Sequence, residues 1–90
     1  MAPLFDAVHF NGDRVVACIF TNKNAKFIMS YFYANPHPEG LVVKYHNLSM
    51  VFRLNDVITE GPRGKLMVYS KTDFLYLHTV DLEEFSKHEQ

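Results

Sequence analysis

Five histidines and a single cysteine are the residues of this chain that would be first candidates for metal binding or covalent catalysis. Structural zinc sites need closely spaced pairs of histidine or cysteine ligands, and the spacing of these residues provides none. The histidines are His9, His37, His46, His78 and His88, and the cysteine is Cys18. We therefore expect no metal, no cofactor and no internal disulfide.

Cys18 and His9 are the pair that comes closest to a nucleophile and its base. The expected strand pairing puts His9 beside Arg14, which lies about 13 Å along a strand from Cys18. A thiolate and its base need hydrogen-bond distance, so Cys18 is better interpreted as a small apolar core residue. The carboxylates fall at turns, at strand ends and on a terminal helix, without a common cleft. The sequence thus predicts a protein that is not an enzyme.

Residues 65–79 contain the most informative pattern. With a two-residue turn at Lys71 and Thr72, this segment would be a hairpin with rings and sulfur on one face and aliphatic side chains on the other. The ring face carries Lys65, Met67, Tyr69, Phe74, Tyr76 and His78, and the aliphatic face carries Leu66, Val68, Leu75 and Leu77. A small domain offers its sheet one core face, so the second face would need a covering layer, a partner or a ligand.

This pattern leads to a prediction of function. We expect a non-enzymatic module that binds a protein, either as a homodimer or by capping or inhibiting a partner, as a viral or phage accessory protein would. Met67, Tyr69, Phe74 and Tyr76 would be its anchors, because such side chains are enriched at the centres of interfaces. Lys65 and His78 would form the polar rim. The competing interpretation, in which the ring face is core and the terminal helix covers the other face, is equally compatible with the periodicity.

Single-stranded nucleic acid is the alternative partner. Aromatic rings on a sheet can stack bases while neighbouring basic residues hold phosphates. Arg63, Lys65, Lys71 and His78 border the ring face, but the formal net charge of the whole chain is −1. Protein binding is therefore the favoured hypothesis. A pocket for a small apolar ligand inside a barrel is a third possibility.

Composition limits the class of protein. The 90 residues make a single domain, residues 1–90, and a hydrophobic content of 48% excludes a disordered chain. The first residues lack a basic leader and a long apolar run, so we expect neither a signal peptide nor a membrane segment. The expected location is the cytoplasm, including that of a host cell if the gene is viral.

Turn signals at intervals of eight to twelve residues, with alternating apolar runs between them, predict an antiparallel β fold. Asn11-Gly12 would join residues 7–10 to residues 14–20 in a hairpin with a two-residue type I′ turn. Residues 26–33 would add a third strand after a loop in which Asn24 takes the left-handed conformation. The two prolines of residues 35–40 end this meander.

Residues 41–46 and 49–54 would form a second hairpin around Asn47-Leu48, with Val57 and Ile58 as a possible further strand. Asp81 is a suitable N-cap for a closing helix, with Glu84 completing a capping box and Leu82 and Phe85 on one side. The prediction is a single small sandwich or barrel of six to seven antiparallel strands with a short C-terminal helix. A helix-capped sandwich, a closed barrel and an open meander all satisfy this pattern.

Overall fold

A computed structural model describes residues 2–90 of the chain. The strands are β1 (Phe5–His9), β2 (Arg14–Ile19), β3 (Asn35–His37), β4 (Gly40–Tyr45), β5 (Leu48–Phe52), β6 (Val57–Glu60), β7 (Leu66–Tyr69) and β8 (His78–Thr79). They form a five-stranded sheet in the order β7-β6-β2-β1-β8 and a three-stranded sheet in the order β3-β4-β5. The predicted mainly β fold with antiparallel pairing and a short C-terminal helix is confirmed.

Three short helices accompany the sheets, where the sequence predicted one. They are α1 (Ala25–Tyr31), α2 (Lys71–Leu77) and α3 (Leu82–His88), and a 3₁₀ turn spans Pro62–Gly64. Within residues 2–90, none of the helices has the length and apolar character needed to cross a membrane.

The five-stranded sheet separates two hydrophobic clusters. Strand β2 lies at its centre, and Ala17, Cys18 and Ile19 are all fully buried there. Because side chains alternate along a strand, Ala17 and Ile19 face one cluster while Cys18 faces the other. Helices α2 and α3 complete the first cluster through Phe74 and Phe85. Helix α1 and the three-stranded sheet complete the second, which contains Ile28, Phe32, Leu41, Val43 and Phe52.

The first predicted hairpin is present, but with a shifted register. Val8 pairs with Arg14, and the N–H of His9 donates to the carbonyl of Asp13 at 2.8 Å. The loop between them therefore has three residues, with Gly12 in the left-handed region at a φ of 94°. This conformation favours glycine and is typical of a type I turn followed by a bulge, in place of the expected type I′ turn.

The second predicted hairpin is also present, with Tyr45 opposite Leu48, so its turn lies one residue earlier than expected. The register differs by two residues, which leaves every strand side chain on its predicted face. Leu41, Val43 and Phe52 are accordingly buried together. The possible strand at Val57 and Ile58 exists as β6, and it pairs with β2 and β7. The proline segment adds an unpredicted edge strand, β3, where Pro36 is tolerated.

The prediction of a strand at residues 26–33 was wrong, because this segment forms α1. Ile28 and Phe32 are four residues apart and both enter the second cluster, as one face of a helix requires. Asn24 precedes the helix without capping it through its side chain. Its amide is used instead to hold the preceding chain, accepting from the N–H of Thr21 and donating to the carbonyl of Ile19.

The prediction of a hairpin over residues 65–79 was wrong in its second half. Residues 66–69 are strand β7, but Lys71–Leu77 is helix α2, followed by the two-residue strand β8. Ser70 caps the helix, because its hydroxyl accepts a hydrogen bond from the N–H of Asp73 at 3.1 Å. The helical period sends Phe74 into the first cluster and leaves Tyr76 in solvent, so these two rings do not share a face.

The closing helix begins where the sequence predicted it. The carboxylate of Asp81 accepts from the N–H groups of Glu83 and Glu84, as an N-cap does. The reciprocal half of the capping box is replaced by a contact of 3.1 Å between Glu84 and His88. Phe85 is buried as expected. Leu82 is 66% exposed, so it does not pack in the core beside Phe85.

Substitutions in α2 distinguish the observed helix from the predicted hairpin. Phe74→Ala should lower the free energy of unfolding by about 3–5 kcal/mol, because it empties a fully buried ring site. Tyr76→Ala should change it by less than about 0.5 kcal/mol, as expected for an exposed side chain. Urea denaturation followed by circular dichroism measures both. Phe74→Leu, which keeps part of the ring volume, replaces the alanine variant if the latter does not fold. Equal losses at positions 74 and 76 would contradict the helix.

Candidate functional site

One face of the five-stranded sheet is only partly covered by helices. The strand register places His9, Val15, Thr59, Met67 and Tyr69 on the same face as the first cluster. Phe74 and Phe85 cover the part of this face around Phe5, Ala7 and Ile19. The remainder forms a pocket of about 140 Å³ between the β1–β2 loop and the 3₁₀ turn. We call this the histidine pocket, and it is lined by His9, Asn11, Asp13, Val15, Thr59, Gly61, Pro62, Lys65, Met67 and Tyr69.

The structure brings most of the predicted site residues together at this pocket. Lys65, Met67 and Tyr69 line it directly, because they lie on β7 or at its start. His78 lies behind it and contacts the ring of Tyr69, with 5.1 Å between the ring centroids. Phe74 is fully buried and stacks against His78, so it is a core residue and not an exposed anchor. Tyr76 is 87% exposed on α2.

His78 is a buried imidazole with one unsatisfied nitrogen. Its Nδ1 lies 2.9 Å from the carbonyl oxygen of Phe74. A carbonyl can only accept, so Nδ1 carries the proton and Nε2 is left as an acceptor. Nε2 is buried without a partner among residues 2–90. Burial lowers the pKa of His78, the hydrogen bond to Phe74 opposes this, and the nearby His9 lowers it further. The ring is therefore neutral near pH 7.

His9 has the complementary tautomer. Its Nδ1 accepts a hydrogen bond from the N–H of Asn11 at 3.2 Å, so the proton of the neutral ring lies on Nε2. The two imidazoles meet edge to face, with 4.9 Å between their centroids. The hairpin loop thus fixes His9 as a hydrogen-bond donor at the wall of the pocket.

Two hydroxyl groups add to the polar lining. Thr59 is 2% exposed and lines the pocket together with Tyr69. Burial raises the pKa of Tyr69, and interaction with the Thr59 side chain offsets part of this shift, so the phenol remains protonated at neutral pH. Tyr69 is half-buried, so its phenol is a neutral polar group at the pocket.

Lys65 and Asp13 are the two residues with full charges at the pocket. Both are exposed, and neither takes part in an ion pair within the described part of the chain. The carboxylate of Asp13 accepts from the side-chain amide of Asn11 at 3.2 Å, whereas Lys65 has all three ammonium donors available. The pocket therefore has one cationic donor group that is not used within the described part of the chain.

Two exposed rings lie on the hairpin loop after β1 and on helix α2. Phe10 is 76% exposed, and its ring contacts His9 at a centroid distance of 4.4 Å. The N–H of Phe10 donates to the carbonyl of Leu77 at 2.8 Å, which places the hairpin loop beside the end of α2. Tyr76 precedes Leu77 in this helix. We call Phe10 and Tyr76 the aromatic rim.

The sequence analysis missed His9, Asp13, Thr59 and Phe10 as members of this site. They come from β1, its loop and β6, which are distant in sequence from β7 and meet it only through the order of strands in the sheet. Phe10 directly precedes the Asn-Gly turn, where a strand-end ring is easily assigned to the core. The one clue in the sequence is the position of this large ring beside a turn, because turns usually face solvent.

Cys18 lies on the opposite face of the sheet from the histidine pocket. It is fully buried, and burial raises the pKa of its thiol to about 12. A thiol with this pKa does not supply the thiolate that nucleophilic catalysis needs. The described residues contain no group of three or more histidine, cysteine or acidic side chains arranged to hold a metal ion.

Comparison with known proteins gives no assignment. The chain matches no protein-family model, no curated protein and no solved structure. The geometry of the pocket and the rim is therefore the basis on which a function is proposed.

The lowered pKa of His78 predicts how stability depends on pH. As the pH falls below about 6.5, the unfolded chain binds a proton that the folded chain resists, so wild-type stability should decrease. His78→Gln removes this titration and should flatten that part of the profile. Urea midpoints measured between about pH 8 and pH 5 test the difference. His46→Asn, at an exposed turn residue with a φ of 57°, is the matched control and should keep the wild-type slope. A His78→Gln profile as steep as that of the wild type would contradict the assignment.

Proposed function

We infer that the chain is a non-enzymatic protein-binding domain that self-associates or caps a partner through the aromatic rim and the mouth of the histidine pocket. The observation that supports this function is the exposure of Phe10 and Tyr76, at 76% and 87%, on two elements joined by a backbone hydrogen bond. Large exposed rings are typical anchors of protein interfaces.

The surroundings of the rim fit this role. Met67 is 38% exposed and lines the pocket, so it adds a flexible apolar contact at the pocket mouth. Lys65 and Asp13 supply polar groups at the edge, where charges orient a partner and contribute little affinity. Phe74 lies beneath this surface and supports it without reaching a partner. The predicted anchor set is accordingly revised to Met67, Tyr69, Tyr76 and Phe10.

Serine substitutions at the rim test the proposal. Tyr76→Ser and Phe10→Ser should each weaken association by about 30-fold or more, the effect of losing an interface hot spot. Sedimentation equilibrium measures self-association, and capture from an extract of the native cell, followed by a binding titration with the purified partner, measures hetero-association. The fold should be retained in both variants, because both rings are exposed.

Tyr33→Ser is the matched control. Tyr33 is 85% exposed but lies on the loop before β3, away from the two elements that carry the aromatic rim, so its loss should leave association unchanged. Equal effects at positions 33 and 76 would show that the rim has no special role. Capture that disappears after nuclease treatment would instead support single-stranded nucleic acid, the alternative that the sequence raised.

A further inference from the structure

We propose that the histidine pocket binds a carboxylate group, carried by a ligand segment of about six heavy atoms. The size follows from the volume of about 140 Å³, since a cavity of about 150 Å³ in another protein holds a benzene molecule. The pocket therefore accepts one short acid or a single side chain. It does not accept a nucleotide or a drug-sized molecule, for which cavities of about 300 Å³ or more are usual.

The chemical class follows from the donors that line the pocket. Lys65 provides an unpaired ammonium, His9 provides its Nε2–H, and Thr59 and Tyr69 provide hydroxyl groups. A carboxylate has two oxygens with about four lone-pair positions and can accept all of these. Hydrogen bonds from a cation to a carboxylate are also about twice as strong as neutral ones.

Asp13 carries the opposing charge at the pocket. It would repel a carboxylate and attract an amine, and its own carboxylate accepts one hydrogen bond, from the Asn11 side chain. It lies on the hairpin loop, whereas Lys65 lies at the start of β7 on the opposite wall. The remaining lining, from Val15, Pro62 and Met67, is suited to the short alkyl chain that would carry the acid.

A free short-chain acid and an acidic side chain of a protein present this same group. Binding of either requires only the pocket, so it can be measured on the isolated chain whether or not the aromatic rim binds a protein. The ¹H–¹⁵N correlation spectrum of the labelled chain at neutral pH provides the readout. The probes are butyrate, butylammonium, 1-butanol, inorganic phosphate and the blocked tripeptide acetyl-Ala-Glu-Ala-amide.

Butyrate or the tripeptide should cause saturable shifts in the amides of the β1–β2 loop and of the start of β7. Tighter binding of the tripeptide would identify a protein side chain as the ligand, and tighter binding of butyrate would identify a free acid. Butanol and butylammonium should cause no saturable shift in the same range of concentration. The absence of saturation with both acids would overturn the proposal, as would phosphate binding as tightly as the better acid.

Variants of the two charged residues distinguish a carboxylate site from an amine site by the direction in which affinity changes. Lys65→Gln should weaken binding about tenfold, because it removes a charge-assisted hydrogen bond. Asp13→Asn should strengthen binding about two- to fivefold by removing an exposed like charge. An amine site would show the opposite signs. Lys44→Gln, at an exposed lysine of β4, is the matched control and should leave affinity unchanged. Unchanged affinity in Lys65→Gln would overturn the assignment.

Discussion

The structure depends on burying a central strand on both faces. In β2, Ala17, Cys18 and Ile19 are all fully buried, which requires a layer on each side of the five-stranded sheet. A chain of 90 residues has little mass for two such layers, and the surface it can bury is limited by its size. It meets this constraint with three seven-residue helices and a three-stranded sheet. The core is therefore divided into two small clusters, and the stability of each depends on a few large side chains.

The small amount of chain available to cover the sheet also explains where the candidate site lies. Helix α2 contributes one buried ring, Phe74, and ends at Leu77, so it covers only part of the sheet face. Beyond that ring the cover stops, and His9 and Tyr69 remain partly exposed at the histidine pocket. The unpartnered Nε2 of His78 lies at this boundary. A buried acceptor without a partner costs about 1–3 kcal/mol, which marks the boundary as a place where stability was not optimised.

The sequence was sufficient for the strands whose partners are close along the chain. The hairpins predicted around Asn11-Gly12 and Asn47-Leu48 both exist, because their turn residues and alternating side chains act locally. Helices α1 and α2 were missed since two turns of helix place only two or three residues inward, a number that strand alternation also accommodates. The pair Ile28 and Phe32, four residues apart, and the Ser70 cap with Asp73 were the available helical signals. Pairing of β2 with β6 joins residues about forty positions apart, which periodicity does not encode.

Most of the predicted site residues lie close together despite the error in secondary structure, for a physical reason. Met67 and Tyr69 are two residues apart on β7 and share a face whether a turn or a helix comes next. Strand β8 returns His78 to the same sheet face on the far side of β1. These three residues therefore lie on the same sheet face whether a helix or a tight turn follows β7. They differ for Phe74 and Tyr76, where a period of 3.6 replaces a period of 2 and separates the two rings. The uncharged states of His78 and Tyr69 then leave the full charges to Lys65 and Asp13 at the pocket mouth, where salt screens them with a length of about 8 Å. Polarity within the pocket is therefore short-ranged and directional, which favours recognition of one small group over attraction of a polyanion.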